Sequence, residues 1–170
     1  YFAAMASAVN MAFANRQVIL HQIRQVFADV FGRGADELDM QQIYDVSHNT
    51  AKLERQLIAG REREILIHRK GATRAFAPGA PDLPDAYAGT GQPVIIGGSM
   101  ETGSYLLVGS ESGKKSFFTT AHGSGRTMSR HQAKRQFNGR QLLQDMRARG
   151  IYVHAASLGG LAEEAGGAYK

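Results

Sequence analysis

The fold class of this chain follows from one stretch, KLERQLIAGREREILIH, which spans residues 52–68. Two apolar-rich segments, 52–58 and 64–68, flank the dipeptide Ala59-Gly60, which is a plausible turn. Short apolar runs on both sides of such a turn are typical of a β-hairpin. The sequence therefore predicts a hairpin here, in a chain of 170 residues that is long enough to bury one core.

The segment before the hairpin predicts a long helix over residues 1–31. Apolar residues keep roughly helical spacing there, with alanines between them: Phe2, Met5, Val9, Phe13, Leu20, Ile23, Phe27 and Val30. Gly32-Arg33-Gly34 then supplies a stop signal. The short segment Ile43-Tyr44-Asp45-Val46 is rich in apolar residues and predicts a further strand ahead of the hairpin.

The segment after the hairpin mixes strands and helices. Residues 77–90 hold three of the four prolines and predict an extended loop. We expect strands at 94–96, 105–108 and 151–153, the first two buried on either side of a Gly/Ser turn, and helices at 129–137, 140–149 and 161–165. Because the elements do not alternate regularly, we predict an α+β fold with mixed or antiparallel sheets, a long N-terminal helix and peripheral helices, in a single domain over 1–170.

Composition excludes several classes of protein. The chain has no cysteine, and hence neither disulfides nor thiolate metal ligands. No run of 18 or more apolar residues predicts a membrane span, and the N-terminus lacks the basic start of a signal peptide. We therefore expect a soluble, cytoplasmic protein. Because the first residue is Tyr1, we also expect the chain to be a piece of a longer polypeptide.

Basic residues concentrate between His122 and Gly150. That segment holds seven lysines and arginines against one aspartate, a net charge of +6, whereas the whole chain carries +5. Such an excess favours a nucleic-acid backbone or a nucleotide triphosphate as partner, and a solvated basic helix face explains it equally well. Arg126, Arg130 and Lys134 are spaced four apart, so we predict that they lie on one helix face as a row of phosphate contacts.

One histidine lies in a glycine-rich loop, Thr119-Thr120-Ala121-His122-Gly123-Ser124-Gly125-Arg126. Glycines let a backbone approach a ligand closely, and exposed N–H groups at a helix start attract anions. His122 is therefore a candidate phosphate ligand, general acid or base, or nucleophile that accepts a nucleotidyl group. A glycine-flanked turn whose histidine caps a helix explains the same residues.

Three further motifs precede this loop. They are Asp45-Val46-Ser47-His48-Asn49, His68-Arg69-Lys70-Gly71-Ala72-Thr73-Arg74-Ala75-Phe76 and Gly91-Gln92-Pro93-Val94-Ile95-Ile96-Gly97-Gly98-Ser99-Met100. Together with the His122 loop, and in this order, they closely resemble the RtcB family of GTP- and manganese-dependent RNA ligases. The resemblance covers nearly the whole chain and implies the C-terminal portion of an RtcB-like fold, without its N-terminal part and its extreme C-terminus.

The resemblance implies a role for single residues of the catalytic and metal sites. His122 matches the histidine that is guanylylated by GTP, and His48 matches a manganese ligand. From the residues alone, a histidine near a strand end is more often a hydrogen-bonded core residue. The family's other metal ligands precede the region represented here, so we expect this chain alone to hold the metal weakly or not at all.

The resemblance also implies two sets of binding residues. The guanine-nucleotide contacts would be Ser99, Met100, Ser104, Gly123, Ser124, Gly125, Arg126 and Tyr169, although a plain hairpin turn explains the glycines near Ser99 and a tail position explains Tyr169. The substrate contacts would be Asn49, Arg69 and Lys70. The basic cluster around Arg69 fits either phosphate binding or a salt-bridged surface with Glu62 and Glu64.

The function implied by the resemblance is an RNA ligase. It joins an RNA 3′-phosphate or 2′,3′-cyclic phosphate end to a 5′-hydroxyl end through a GMP–histidine intermediate, as in tRNA splicing or RNA repair. The implied cofactors are Mn²⁺ and GTP, and the implied partners are tRNA halves or broken RNA and an archease-type activator, with no membrane. A non-catalytic module that binds RNA or anions and a histidine-dependent phosphoesterase remain alternatives.

Overall fold

The computed structural model describes all residues, 1–170, and has an α+β architecture. The helices are α1 (Phe2–Phe31), α2 (Arg130–Gln136), α3 (Gly139–Ala148) and α4 (Leu158–Glu163). The strands are β1 (Asn49–Ile58), β2 (Arg61–Lys70), β3 (Ala72–Arg74), β4 (Pro93–Ile96), β5 (Tyr105–Val108) and β6 (Thr119–Ala121). They form three two-stranded sheets, β1–β2, β3–β6 and β4–β5, and short 3₁₀ turns lie at Asp85–Tyr87, Glu111–Ser116 and Gly166–Ala168. The predicted fold class is confirmed.

The residues divide into two compact units. Unit one consists of Tyr1–Val94 and Val108–Thr120, and unit two consists of Ile95–Leu107 and Ala121–Lys170. The assignment of 1–170 to a single domain stays a prediction.

Helix α1 of unit one ends where the sequence predicts. Gly32 adopts a left-handed conformation with φ 63°, and its N–H donates to the carbonyl of Ala28, which closes the last turn. None of the residues of α1 is buried, although the helix contacts β1. Neither α1 nor any other helix is long and apolar enough to cross a membrane.

The predicted hairpin is present and is longer than expected. β1 and β2 pair antiparallel from Asn49↔Lys70 to Ile58↔Arg61. Ala59 and Gly60 connect them with φ values of 50° and 75°. Two successive positive φ values are typical of the type I′ turn, whose twist matches that of the flanking strands. The turn chemistry therefore fixes the register of all ten residue pairs.

Unit one has a small core that includes polar side chains. The buried apolar residues are Ala51, Ile67, Ala75, Phe76, Ala77, Leu83 and Val94, and the buried polar residues are Thr50, Glu54, Arg69, Thr73 and Gln92. Burying a charged or amide group is costly unless it is hydrogen-bonded. Among them, Glu54 and Arg69 form a salt bridge, and Gln92 Oε1 accepts from Arg74 and from the N–H of Phe76.

Unit two is built from three short helices, each with a side-chain N-cap. The Ser129 hydroxyl accepts from the N–H of Gln132, Asn138 caps α3, and Ser157 caps α4. Both α2 and α3 contact α4. The buried apolar residues between these elements are Ala133, Met146, Leu161, Ala162, Ala165 and Ala168.

Several predicted elements are wrong. Residues 43–46 form no strand, because the Ile43 carbonyl accepts from the Tyr87 hydroxyl and the Asp45 carboxylate accepts from Arg16 Nε at 2.5 Å, so side chains replace a strand partner. Residues 151–153 form no strand either. β5 is present at 105–108 but is exposed rather than buried, and the last helix spans 158–163 instead of 161–165.

Candidate active site

The His122 loop of unit two is joined to the Gly/Ser turn at Gly97. The N–H of Gly97 donates to the carbonyl of His122 at 3.2 Å, and the N–H of Ser124 donates to the carbonyl of Gly97 at 2.8 Å. A Cβ atom added at Gly123 would lie 3.0 Å from that same carbonyl oxygen, which is tighter than most Cβ contacts, so glycine favours this close approach. Two motifs that are 25 residues apart in sequence thus form one hydrogen-bonded backbone framework. His122 belongs to this framework, and its side chain is exposed.

The framework leaves room and donors for an anionic ligand. A Cβ atom added at Gly97 would meet nothing within 4 Å, so the space beside the turn is open. The N–H groups of Gly123 and Gly125 donate to no backbone carbonyl. Donors of this kind, placed next to an exposed imidazole, suit a phosphate group of a nucleotide. The residues of this loop therefore fit the nucleotide that the sequence analysis expects.

The Gly/Ser turn is held by its own hydroxyl groups. Ser104 Oγ accepts from the N–H of Gly98 at 3.2 Å, and Thr102 Oγ1 accepts from the N–H of Ser99 at 2.8 Å. Ser99 Oγ in turn accepts from the N–H of Glu101 at 3.2 Å. A hydroxyl has one donor and two acceptor positions, so Ser99 and Ser104 keep hydrogen-bonding capacity for a ligand. Met100 is half-buried in the same turn.

Thr102 was missed by the sequence analysis. Its hydroxyl lies 3.1 Å from Ser99 Oγ in addition to accepting from the Ser99 backbone, so it fixes the conformation of the turn. A threonine three residues after a serine in a glycine-rich segment is a recognisable signal for such a side-chain turn.

Arg126 links the His122 loop to the C-terminal segment of unit two. Its guanidinium donates to the Tyr169 hydroxyl at 2.9 Å and to the Glu163 carbonyl at 2.6 Å, and it lies 4.8 Å from the centroid of the Tyr169 ring. The backbone repeats this link, since the N–H of Lys170 donates to the carbonyl of Gly125 at 2.8 Å. Tyr169, which looks like a tail residue in the sequence, is thus fixed beside the loop that carries His122.

The predicted row of basic residues is wrong in its geometry. α2 begins at Arg130 after the Ser129 cap, so Arg126 lies outside the helix. The three basic residues also have carboxylate partners. Arg126 pairs with Glu164 at 3.5 Å, Arg130 pairs with both Glu163 and Glu164, and Lys134 pairs with Glu163 at 2.5 Å. Two glutamates therefore offset much of the charge that the sequence suggests is available to phosphates.

These contacts change two pKa values in opposite directions. The hydrogen bond from Lys134 is the largest cause that lowers the pKa of Glu163; burial opposes it, and the hydrogen bond from Arg130 lowers the pKa further. Burial raises the pKa of Tyr169, and the hydrogen bond that its hydroxyl donates to Glu164 raises it further. Tyr169 is therefore a neutral hydrogen-bond donor and Glu163 an anion at neutral pH.

The residues predicted to contact substrate lie in unit one. Asn49 Oδ1 accepts from the N–H of Gly71 at 2.9 Å, and the carbonyl of His48 accepts from the N–H of Ala72 at 3.1 Å. Asn49 is paired with Lys70 across the hairpin, and Lys70 is exposed and forms no salt bridge. The hairpin end thus places His48, Asn49 and Lys70 next to one another.

Arg69 differs from Lys70 because it is buried. Its side chain is 0% exposed and donates to both carboxylate oxygens of Glu54, at 2.6 Å and 3.0 Å. It also donates to Thr119 Oγ1 at 3.0 Å and to the Phe117 carbonyl at 3.0 Å. Arg69 thus forms a salt bridge, but the pair is buried and the partner is Glu54, so the predicted salt-bridged surface with Glu62 and Glu64 is wrong. A role of Arg69 in substrate binding stays a prediction.

The residues of this chain do not form a metal site on their own. No group of three or more histidine or carboxylate side chains lies close enough together to hold a metal ion, and there is no cysteine. Manganese in proteins needs several such oxygen and nitrogen ligands. These 170 residues therefore do not fit a complete manganese centre, and the role of His48 as one ligand stays a prediction.

Comparisons with known proteins identify the family. A tRNA-splicing ligase RtcB from Thermococcus kodakarensis is 52% identical over 171 residues, which cover 100% of this chain and 36% of the relative. The tRNA-splicing ligase RtcB of Aeropyrum pernix is 48% identical, with 100% and 35% covered, and RNA-splicing ligase RtcB homolog 2 of Entamoeba dispar is 50% identical, with 100% and 33% covered. The chain thus spans about a third of the length of these relatives. Since the family model described as tRNA-splicing ligase RtcB also matches residues 1–170, the chain belongs to the RtcB family.

Proposed function

We propose that the chain carries the nucleotide-accepting part of an RNA ligase. The observation that supports this most is the framework in unit two, where the His122 loop is hydrogen-bonded to the Gly97 turn and tied to Tyr169 through Arg126. The printed names of the relatives, which are RNA- and tRNA-splicing ligases, point to the same activity. Neither a binding module nor a simple turn requires an exposed histidine on such a framework.

In the proposed first step, a neutral imidazole nitrogen of His122 attacks the α-phosphorus of GTP. A nitrogen–phosphorus bond forms, the bond between the α-phosphorus and the bridging oxygen breaks, and pyrophosphate leaves with the bonding electrons. The N–H groups of Gly123 and Gly125 would stabilise the charge that develops on the phosphate oxygens, and the positive charge of Arg126 would add to this stabilisation. Tyr169 and Ser104 would hold the nucleoside.

In the following steps the guanylate is transferred to RNA. The 3′-phosphate of one RNA end takes the guanylate from His122, which restores the neutral imidazole. The 5′-hydroxyl of the second end then attacks the activated phosphate, joins the strands and expels GMP. A 2′,3′-cyclic phosphate would first be hydrolysed to the 3′-phosphate. Substrates of this kind include tRNA halves and broken RNA.

The proposal includes groups that these residues do not supply. Manganese belongs to it only with further ligands from outside the 170 residues, since the chain holds no complete cluster. An archease-type activator would act on the same longer protein. For the isolated chain, the absence of a metal cluster favours a second function, the binding of RNA or other anions without covalent chemistry.

A joining assay separates these functions. The full-length protein is incubated with manganese and two RNA oligonucleotides, one with a 3′-phosphate and one with a 5′-hydroxyl, with and without GTP. We expect GTP-dependent joining that His122→Ala abolishes and that His131→Ala, which changes an exposed histidine of α2, leaves intact. Loss of the terminal phosphate without GTP would indicate a phosphoesterase, and RNA binding with neither reaction would indicate the binding module.

A further inference from the structure

Unit one contains a small cavity, apart from the His122 loop, whose wall combines apolar residues with several charged and polar side chains. Its volume is about 50 Å³, and its wall includes Asp45, Thr50, Lys52, Arg69, Arg74 and Gln92. We name it the cationic cavity. A buried water needs a cavity of about 10–15 Å³, so this cavity has room for a few waters or for one tetrahedral oxyanion.

The charges around the cationic cavity do not balance. Arg69 is neutralised by Glu54, and Asp45 is neutralised by Arg16 at 2.5 Å. Lys52 and Arg74 form no salt bridge with any carboxylate of the chain. The wall therefore carries two positive charges without a carboxylate partner, one on the exposed Lys52 and one on the half-buried Arg74.

The two cations also disfavour each other. Burial is the first cause that lowers the pKa of Lys52, and the positive charge of Arg74 is the second. Glu54 and Asp82 raise that pKa, but they do not cancel the lowering. An anion between Lys52 and Arg74 would remove this repulsion.

Arg74 is held in one orientation with donors to spare. Its Nε donates to Gln92 Oε1 at 3.2 Å, and its guanidinium lies 4.3 Å from the centroid of the Phe76 ring. Its two terminal nitrogens make no hydrogen bond within the protein. A guanidinium fixed in this way is pre-organised for an oxyanion, because its fork matches two oxygens at once.

Gln92 gives independent evidence for a ligand, because its side-chain amide lacks a hydrogen-bond partner. Its side chain is fully buried, and Oε1 accepts from both Arg74 Nε and the N–H of Phe76, at 3.2 Å and 3.3 Å. Because both neighbours are donors, the amide cannot be turned round without setting donor against donor. Its Nε2 is consequently fixed on the opposite side, where it is buried and has no partner. Buried amide groups without a partner are rare in native proteins.

We propose that the cationic cavity binds a tetrahedral oxyanion of phosphate size through Lys52, Arg74 and the side-chain amide of Gln92. The chemistry recognised is a phosphate group, either free in solution or carried by a nucleic-acid strand. The inference stands whether or not His122 accepts a nucleotide, since no residue of the His122 loop takes part.

Binding of inorganic phosphate to the full chain tests the proposal. Calorimetric titration and thermal unfolding compare phosphate with chloride at equal ionic strength and pH. We expect saturable phosphate binding that raises the unfolding temperature of the wild-type protein beyond the effect of chloride. Lys52→Met should weaken this binding on the order of tenfold, because it removes a charge-assisted hydrogen bond. Lys115→Met removes an exposed lysine of the same unit and should leave phosphate affinity unchanged.

Gln92→Glu is the decisive variant because it keeps the fold's own hydrogen bonds. The carboxylate still accepts from Arg74 and from Phe76, and its second oxygen brings a negative charge to the place of the anion. The variant should therefore lose phosphate binding on the order of tenfold or more, and because burying a carboxylate is costly, its fold is checked by thermal unfolding before the titration. Equal phosphate affinity in Gln92→Glu and wild type, or equal effects of phosphate and chloride on the wild type, would overturn the proposal.

A second ligand identifies the source of the phosphate. A short RNA with a terminal phosphate is titrated at the same phosphate concentration into wild type and Gln92→Glu. If the variant loses affinity for both ligands, the cavity takes a strand phosphate, and if it loses only inorganic phosphate, the cavity takes a free anion. Either result supports an oxyanion site.

Discussion

Units one and two each hold an arginine against glutamate, but at very different depths. In unit one, Arg69 and Glu54 have side chains that are 0% and 6% exposed. In unit two, Arg130 contacts Glu163 and Glu164 while 60% of its own side chain is exposed. Since both pairs join an arginine to glutamate, burial decides how much such a pair contributes to the free energy of unfolding. A broken buried pair leaves an uncompensated charge, whereas water replaces a partner at the surface.

This difference has a consequence for ligand binding. All three nitrogens of the Arg69 guanidinium are engaged by Glu54, Thr119 and Phe117 inside the protein. Arg130 is exposed and can exchange its carboxylate partners for the phosphates of a ligand without leaving a buried charge. We therefore expect changes in unit one to act mainly on folding and changes in unit two mainly on ligand affinity.

The largest effect is expected from breaking the buried pair. Glu54→Ala leaves the buried Arg69 guanidinium without its carboxylate. We expect a loss of about 3–5 kcal/mol in the free energy of unfolding, measured by urea denaturation. Glu62→Ala on the neighbouring strand removes an exposed carboxylate that has no salt bridge and serves as the control. A loss of less than 1 kcal/mol in Glu54→Ala would contradict the account.

A smaller loss of stability is expected when the contacts of Glu164 in unit two are removed. Glu164→Ala removes partners of Arg126, Arg130 and Tyr169, but its side chain is 33% exposed. We expect the free energy of unfolding to fall by about 1 kcal/mol at most. A double-mutant cycle with Arg130→Ala isolates the coupling between the two side chains. If the coupling energy between Glu164 and Arg130 were as large as the loss expected for Glu54→Ala, burial would not explain the difference between the two units.

The smallest effect concerns acid stability. Hydrogen bonds from Lys134 and Arg130 lower the pKa of Glu163 in the folded protein, so its contribution is present above the unfolded pKa of about 4.3. That contribution is lost as the pH falls through the lower, folded pKa. The urea midpoint should therefore drop more steeply between about pH 5 and pH 3 in wild type than in Glu163→Gln. Equal slopes would show that the exposed pairs contribute nothing.

Local features of the fold could be predicted from the sequence. The hairpin follows from Ala59-Gly60, and the end of α1 follows from Gly32, because both depend on backbone preferences of adjacent residues. Serine is a typical N-cap residue, so Ser129 predicts the start of α2 at Arg130. This start excludes Arg126 from the helix.

Contacts between distant residues could not be predicted. β3 and β6 have three residues each and pair across more than 40 residues of sequence, which leaves no periodic signal. Residues 43–46 resemble a strand, and only the distant side chains of Arg16 and Tyr87 explain why they are not one. For the same reason the sequence suggested Glu62 and Glu64 as partners of Arg69, whereas the actual partner lies on the other strand of the hairpin.

The sequence predicts motifs that the structure brings together in unit two, and it does not predict the balance of charge around them. The motifs around Ser99, His122 and Tyr169 lie in one unit, and the hydrogen bonds at Gly97 and Arg126 connect them. The sequence did not reveal that Glu163 and Glu164 engage the basic residues beside the loop. A count of charges along the chain cannot show which of them are already paired.

Intact-mass spectrometry of the full-length protein, after incubation with GTP and manganese, tests the central claim most directly. We expect the wild-type protein and His131→Ala to gain the mass of one guanylate group and His122→Ala to gain none. An adduct that persists in His122→Ala, or no adduct on a folded and metal-loaded wild-type protein, would contradict the assignment of His122 as the nucleotide-accepting residue.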